Sequence, residues 1–228
     1  MTEQEWLGCA DPRELLRFFE GKTSDRKFML FAVACCRSIW EMLTDERSRE
    51  AIHVAERYAD NLADEREIAN AAKLAWEAIQ ASQHPLTPWA ARSAWAMVAH
   101  VGAAPLLARE TADSVSSAVC SAVRPRKQER FREARKSRLN LQRTAELSFI
   151  RDVFGNPFRP VTAKPAWFTS TVISLATAVY DERGFDRMPI LADALEDAGC
   201  DNADILNHCR QPGEHVRGCW LVDLILSK

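Results

Sequence analysis

The stretch DPRELLRFFEGKTSDRKFMLFAVACCRSIWEML, residues Asp11–Leu43, predicts two consecutive helices and indicates the fold class. Asp11 followed by Pro12 is typical of a helix N-terminus, because an aspartate side chain caps exposed backbone N–H groups and proline fits the first turn. Gly21 predicts the end of this helix, and a new helix begins near Ser24. The second helix has apolar side chains at helical spacing, at Phe28, Phe31, Ala32, Cys35, Ile39, Met42 and Leu43.

The same signals continue along the rest of the chain and predict an all-α protein. Only 8 of the 228 residues are glycine, which argues against a sandwich or barrel with many tight turns. Alanine, the best helix former, is plentiful, and no alternating strand pattern exceeds about four residues. We therefore predict an irregular multi-helix bundle or short helical array of about ten helices.

Residues 1–228 are predicted to form a single compact helical domain, because the seven tryptophans are spread along the chain and suggest one shared core. From Arg126 to Phe154 the chain lacks proline and glycine, which predicts one long helix. The segment GNPFRPVTAKP, residues 155–165, then has three prolines in eleven residues and cannot form regular structure. This proline-rich loop is the candidate internal boundary.

Composition and charge exclude several classes of function. The net charge of -2 gives the chain as a whole no preference for a polyanion or a membrane surface. The longest apolar run, Phe28–Cys36, is too short to span a bilayer, and the acidic N-terminus does not resemble a secretory signal. Seven cysteines without a regular spacing indicate reduced thiols, so a cytoplasmic location is expected.

The densest group of reactive side chains lies near the C-terminus. It comprises five residues: Cys200, His208, Cys209, His215 and Cys219. Zinc prefers four thiolate or imidazole ligands, and His215 and Cys219, four apart, would share a face of a helix. The spacing lacks a Cys-x2-Cys knuckle, however, and the cysteines would equally suit a buried core as small apolar side chains. A reactive thiol is the third interpretation, and zinc is the cofactor that a metal site here would take.

The segment from Arg124 to Arg143 is strongly basic, with nine Lys or Arg residues and two acids. A helix of this composition predicts contacts to nucleic-acid phosphates. The expected contact residues are Arg126, Lys127, Arg130, Arg135, Lys136 and Arg138. Phe131 is the only aromatic residue in the segment, so stacking on bases is not expected. A solvated helix, or one that packs on acidic faces of the same protein, is the alternative.

Four motifs resemble those of a large paralogous family of planctomycete bacterial proteins. They are ACCRSIW (Ala34–Trp40), RDVFGNPFRPV (Arg151–Val161), LADALEDAGC (Leu191–Cys200) and HVRGCWLVDLIL (His215–Leu226). The resemblance covers both ends of the chain and is weaker in the middle. It implies a cytoplasmic bacterial setting. No activity, cofactor or catalytic residue is established for that family, so the resemblance transfers no function.

The common catalytic motifs are absent from the sequence. There is no glycine-rich phosphate loop, no G-x-S-x-G elbow and no H-E-x-x-H motif, which favours a noncatalytic role. We predict a helical protein-interaction module whose partner is another protein. The first alternative is a metal-binding or thiol-dependent enzyme that uses the C-terminal Cys and His residues. The second alternative is nucleic-acid binding through the basic helix, residues 124–143.

Overall fold

The computed structural model of the protein describes residues 1–81, 87–99, 102–122 and 128–228. The first seven α-helices are α1 (Glu3–Gly8), α2 (Pro12–Phe19), α3 (Asp25–Arg37), α4 (Glu46–Ala59), α5 (Glu65–Ala81), α6 (Thr87–Ala99) and α7 (Ala104–Ser121). Five more follow: α8 (Gln128–Phe154), α9 (Ser170–Glu182), α10 (Met188–Asp197), α11 (Ala203–Arg210) and α12 (Trp220–Leu226). With twelve α-helices and no strand in the described residues, the predicted all-α fold is confirmed.

Polar side chains fix the starts of several helices. Thr2 and Glu5 form a reciprocal capping box at α1. Asp11 accepts a hydrogen bond from the backbone N–H of Arg13 at the start of α2, as predicted, and Asp45 plays the same part at α4. These bonds satisfy donors that the helices themselves leave without a partner, so even short helices begin at defined residues.

The chain divides into two compact units, residues 1–147 and 148–228. In the first unit α3 packs against α4, α6 and α7. Its residues from Phe28 to Cys36 are all buried, so every face of this helix contacts protein. The thiols of Cys35 and Cys36 lie in that core, where burial raises the pKa of Cys36 to about 12. They act there as small apolar side chains.

The second unit has its own core, formed by α9, α10, α11 and α12. Within it, α10 packs against α9 and α11, and α12 packs against α9. The buried side chains include Val172, Val179, Leu191, Leu195, Ile205, Leu221 and Ile225. Gly155, just after α8, has a φ of +69°, and a Cβ there would lie 3.1 Å from Cγ of Trp220. Glycine is needed here because it tolerates the left-handed conformation and leaves room for the indole.

The long helix α8 runs for 27 residues, as the absence of proline and glycine predicted. The predicted start at Arg126 lies outside the described residues. Its C-terminal turns carry a buried apolar stripe, which consists of Phe149, Ile150 and Val153. No helix in the described parts of the chain combines the length and the apolar composition that a membrane span requires.

The boundary between the two units falls inside α8, between Leu147 and Ser148. The proline-rich loop, residues 155–165, which the sequence marks as a candidate boundary, lies within the second unit. A single domain over residues 1–228 therefore stays a prediction. For the site described next, the relevant fact is that the last turns of α8 belong to the second unit.

Candidate metal centre

Four buried side chains of the second unit converge on one point: Asp152, His208, His215 and Cys219. Each offers one ligand atom, and these atoms all lie within 4.8 Å of one another. Asp152 is on α8 and His208 is on α11, whereas His215 and Cys219 lie in the loop that leads into α12. This group is named the Asp-His-Cys cluster.

Helix α11 places His208 with its side chain inward. The helix is capped by Asn202, whose side chain accepts hydrogen bonds from the backbone N–H groups of Asp204 and Ile205 at 3.0 and 3.1 Å. The buried residues of α11 are Ile205, His208 and Cys209. Their spacing of three and four residues puts them on one face of the helix. His208 therefore points into the unit rather than toward solvent.

A tight turn brings His215 and Cys219 to the cluster. The backbone N–H of Cys219 donates to the carbonyl of Val216 at 2.9 Å, and Gly218 inside the turn has a φ of +91°. Cys219 then directly precedes α12, which begins at Trp220. His215 and Cys219 therefore do not share a helix, and the helical face that their spacing would allow is not formed, because Gly218 adopts a left-handed conformation that an α-helix does not contain.

Asp152 is held by hydrogen bonds on both carboxylate oxygens. Oδ1 accepts from Nδ1 of His215 at 2.6 Å and lies 3.3 Å from Nε2 of His208. Oδ2 accepts from the backbone N–H of Val216 at 2.9 Å. Burial raises the pKa of Asp152, but the hydrogen bonds from the two histidines outweigh burial, so the pKa lies below its ordinary value. The carboxyl group is therefore an anion, the form that binds a cation.

Both ring nitrogens of His208 have partners. Nε2 lies 3.1 Å from Sγ of Cys219, whereas Nδ1 lies 3.2 Å from Nε1 of Trp220 and 3.2 Å from Nε2 of Gln211. The indole N–H can only donate, so Nδ1 accepts and Nε2 carries the proton in this arrangement. If a metal takes Nε2, the proton moves to Nδ1; the Gln211 carboxamide, turned by about 180°, can then accept from Nδ1, whereas the Trp220 indole N–H loses its acceptor and has to move.

His215 leaves one polar atom without a partner. Its Nδ1 is bound to Asp152, whereas its Nε2 is buried and has no hydrogen-bond partner among the described residues. Most buried polar atoms in proteins are paired, so this atom requires an explanation. A metal shared with Asp152 does not supply it, because Nε2 and Nδ1 point to opposite sides of the ring and Nδ1 is the nitrogen that faces Asp152; such a metal would take Nδ1 of His215 in place of its proton.

The structure brings together three of the five residues that the sequence singled out as metal ligands: His208, His215 and Cys219. The other two, Cys200 and Cys209, belong to the hydrophobic core of the second unit. Burial is the largest influence on Cys209 and raises the pKa of its thiol to about 12. The thiol therefore stays protonated and is a poor metal ligand at neutral pH.

Sequence reasoning missed Asp152, which lies 63 residues before His215 in the chain. One local signal was present. Asp152 stands beside the apolar stripe of α8 at a position that faces inward, where an acid is uncommon unless it has a partner. The sequence could not name that partner, because nothing local links the end of α8 to the loop before α12.

The predicted nucleic-acid contacts belong to the basic part of α8 and the residues before it. Arg135, Lys136 and Arg138 are exposed on this helix. Arg126 and Lys127 lie outside the described residues, as does the side chain of Arg130. Exposure is necessary for a contact with nucleic acid, but it does not identify the partner, so these contacts stay a prediction.

Comparison with known proteins assigns no family. No protein-family model, curated protein or solved structure matches the chain. The resemblance to the planctomycete family stays a prediction. The function must therefore be argued from the Asp-His-Cys cluster and from the charges on the surface.

Proposed function

We propose that the protein is a noncatalytic helical protein in which Asp152, His208, His215 and Cys219 hold one Zn²⁺. The observation that carries the proposal is the convergence of four ligand atoms, all within 4.8 Å, from four buried side chains. In a tetrahedral zinc site the ligand atoms lie about 2.0–2.3 Å from the metal and hence roughly 3.3–3.7 Å from one another. Nε2 of His208 lies 3.1 Å from Sγ of Cys219 and 3.3 Å from Oδ1 of Asp152, close to that separation.

The charge balance of the cluster favours a divalent cation. A metal-bound cysteine is a thiolate and Asp152 is a carboxylate, so two negative ligands neutralise Zn²⁺ while two neutral imidazoles complete the site. A net charge near zero suits a buried position, because an isolated buried charge is strongly unfavourable. The mixture of one sulfur, two nitrogens and one oxygen also suits zinc better than magnesium or calcium, which prefer oxygen ligands.

The burial of all four residues supports a structural role for the metal. Catalytic zinc sites keep one position open for water, whereas structural sites have four protein ligands. The exposed fraction of the four residues is 8% or less, and that of Cys219 is 0%. In this proposal zinc joins the last turns of α8 to α11 and to the start of α12. Its binding free energy then contributes to the folding of the second unit.

Thiol catalysis, the alternative chemistry, fits the geometry less well. In a catalytic triad the histidine base contacts the nucleophile with one ring nitrogen and the orienting carboxylate with the other. In this cluster Cys219 and Asp152 both face Nε2 of His208. Cys219 is also fully buried, which leaves no path for a substrate to its sulfur in this conformation.

Elemental analysis of the purified, untagged full chain, combined with thermal unfolding, tests the proposal. We expect about one zinc per chain and a Tm that falls on addition of a strong chelator and recovers with added Zn²⁺. A chain without metal, whose Tm responds to neither chelator nor added Zn²⁺, would contradict the proposal and return these side chains to a hydrogen-bonded core.

Two cysteine variants of the second unit separate metal binding from packing. Cys219→Ser removes the thiolate and should lower the zinc content well below one per chain. Cys209→Ala is the matched control, because Cys209 is also buried and lies next to His208 but is not one of the four residues whose ligand atoms converge. This variant should keep its zinc although some packing is lost. Equal zinc content in the two variants would show that the metal binds elsewhere.

The predicted role as a protein-interaction module stays a prediction beside this proposal. Several large apolar side chains are more than 40% exposed in the described residues, among them Leu62, Trp76 and Leu141. Single exposed apolar side chains are common on protein surfaces and do not by themselves define a partner. A structural metal is compatible with such a role, because it would stabilise the unit without taking part in chemistry.

A further inference from the structure

We infer that the exposed basic part of α8 binds double-stranded nucleic acid through its phosphates. This basic part is residues 132–138, and its four cations are exposed: Arg132, Arg135, Lys136 and Arg138. None of the four forms an ion pair with another described residue. The described part of the chain therefore supplies no acid that neutralises them. The inference is independent of the proposed metal, because all four residues belong to the first unit.

The exposure pattern argues against a helix that packs on acidic faces of the same protein. Residues 132–138 are exposed at every position. Seven consecutive residues, at about 100° each, sample all sides of an α-helix. The described parts of the chain therefore cover no side of this segment, and full burial begins only at Gln142.

The distribution of the cations fits a groove better than a flat surface. At about 100° per residue, Arg132, Arg135, Lys136 and Arg138 occupy an arc of roughly 160° around the helix axis. A helix that lies on a flat protein surface contacts it through a narrower stripe of about 100°. The major groove of B-DNA, about 12 Å wide, admits one α-helix and flanks it with phosphates on both walls.

Other polyanions fit this segment less well. A helix that lies on a membrane needs a continuous apolar face, but Leu139 and Leu141, the only large apolar residues in 132–143, point about 160° apart. Proteins that bind single strands stack several aromatic side chains on the bases, whereas the basic segment 124–143 has one aromatic residue, Phe131. Cations on a segment without a continuous apolar face suit contacts to the phosphate backbone, which do not depend on base sequence.

Binding of the full chain to a mixed-sequence DNA duplex of about 20 base pairs, measured over a range of salt concentrations, tests the inference. Each phosphate contact lowers log K by about 0.9 per unit of log salt concentration, so four contacts weaken binding about 100-fold between about 50 and 200 mM salt. A single strand of the same length should bind more weakly than the duplex. No duplex binding at about 50 mM salt, or tighter binding of the single strand, would overturn the inference.

A charge-matched pair of variants shows whether this helix is responsible. The test variant changes four cations of α8 to glutamine: Arg132, Arg135, Lys136 and Arg138. The control removes the same charge from exposed positions elsewhere in the first unit: Arg17, Lys22, Arg66 and Lys73. The test variant should lose about 3–4 from the slope of log K against log salt, whereas the control should keep the wild-type slope.

Two further outcomes, one with the variants and one with polyglutamate in place of the duplex, would also overturn the inference. Equal losses in both variants would mean that net charge rather than α8 drives binding, which contradicts the inference. Tighter binding of polyglutamate than of the duplex would identify an acidic protein as the partner and overturn it too. Circular dichroism and zinc content should match the wild type in both variants, so failure here is distinguishable from failure of the metal proposal.

Discussion

Helix α8 carries two buried carboxyl groups, one in each unit, whose pKa values are shifted in opposite directions from that of an exposed acid. Glu146 of the first unit and Asp152 of the second are each 3% exposed. Burial raises the pKa of Glu146 to about 7, because its partners, Gln142 at 3.2 Å and Ser116 at 3.1 Å, are neutral. The pKa of Asp152 is lowered despite burial, because two histidines surround its carboxylate.

The contrast shows that partners, rather than burial alone, decide the protonation of an acid in this protein. Two neutral donors do not compensate for the desolvation of Glu146, whereas two imidazoles and a backbone N–H stabilise the Asp152 anion. The first unit therefore contains a carboxyl group that titrates near neutral pH. The second unit contains a fixed anion in a position suited to a cation.

The largest expected effect is the loss of the Asp152 charge. Asp152→Asn removes the anion that both histidines contact, and should destabilise the second unit by about 3–5 kcal/mol, the range for breaking a buried charged network. Zinc content should fall at the same time. Glu146→Gln is the matched control, since an amide oxygen can still accept from both neutral partners. Hydrogen exchange of the amides in α11 and α12 measures the effect. Unchanged protection of these amides in Asp152→Asn would show that the Asp152 charge does not stabilise the second unit.

The pH dependence of stability is the next largest difference. Glu146 has a pKa of about 7 in the folded protein against an ordinary value of 4.5, so the folded state retains a proton that the unfolded chain releases between these values. Its contribution to stability is complete below about pH 4.5 and is lost as the pH rises through about 7, a loss of roughly 3 kcal/mol.

Urea unfolding of the wild type and of Glu146→Gln at about pH 5 and pH 8 checks this expectation. The wild-type first unit should be less stable at the higher pH, whereas the variant should lose much less. The variant should therefore be the more stable protein at pH 8. Parallel pH profiles for the two proteins would mean that Glu146 titrates like an exposed acid.

A smaller effect is expected at the glycine that packs against Trp220. At Gly155, with a φ of +69°, an added Cβ would lie 3.1 Å from Cγ of the indole that donates to His208. Gly155→Ala should cost about 1–2 kcal/mol from backbone strain, and more because the new methyl group displaces Trp220. The control is Gly199→Ala, which has the same kind of strain at a φ of +83° but no neighbour within 4 Å. Thermal unfolding measures the difference, and equal Tm values for the two variants would show that the contact between Gly155 and Trp220 adds nothing to stability.

The smallest expected effect concerns the cap of the helix that carries His208. Asn202 accepts hydrogen bonds from two backbone N–H groups of α11, so Asn202→Ala should cost about 1 kcal/mol. Ser24 occupies the equivalent position before α3 but makes no side-chain cap bond, and Ser24→Ala should be nearly neutral. Thermal unfolding of both variants measures the difference, and equal Tm values would show that the cap at Asn202 contributes nothing to the second unit.

Helices were predictable here because their signals act within a few residues. Asp11 and Pro12 define the start of α2 without reference to the rest of the chain, and the absence of breakers defines most of α8. The turn before α12 was not predicted. Val216 and the residues after it have an apolar spacing that suits a helix, but Gly218 takes a positive φ, and α12 therefore begins later, at Trp220.

The candidate site was only partly predictable, for a different reason. His208, His215 and Cys219 are close enough in sequence to be noticed as a group. Asp152 joins them through a contact across 63 residues, which depends on how α8 lies within the second unit. Sequence spacing contains no information on that placement. Sequence spacing also could not show that Cys219 is the cysteine that faces the cluster and that Cys209, although next to His208, is not.

Because most of the cysteines are buried, their reaction with an alkylating reagent can report local unfolding of each unit. Cys9 is partly exposed, whereas Cys35, Cys36 and Cys120 are buried in the first unit and Cys200, Cys209 and Cys219 in the second. A brief pulse of an alkylating reagent modifies only thiols that have become accessible, and peptide mass spectrometry then reports which unit opened. A bound metal would delay the alkylation of Cys219 relative to Cys200 and Cys209. The order in which the cysteines of the second unit are labelled would then show whether the metal is released before or after the hydrophobic core opens.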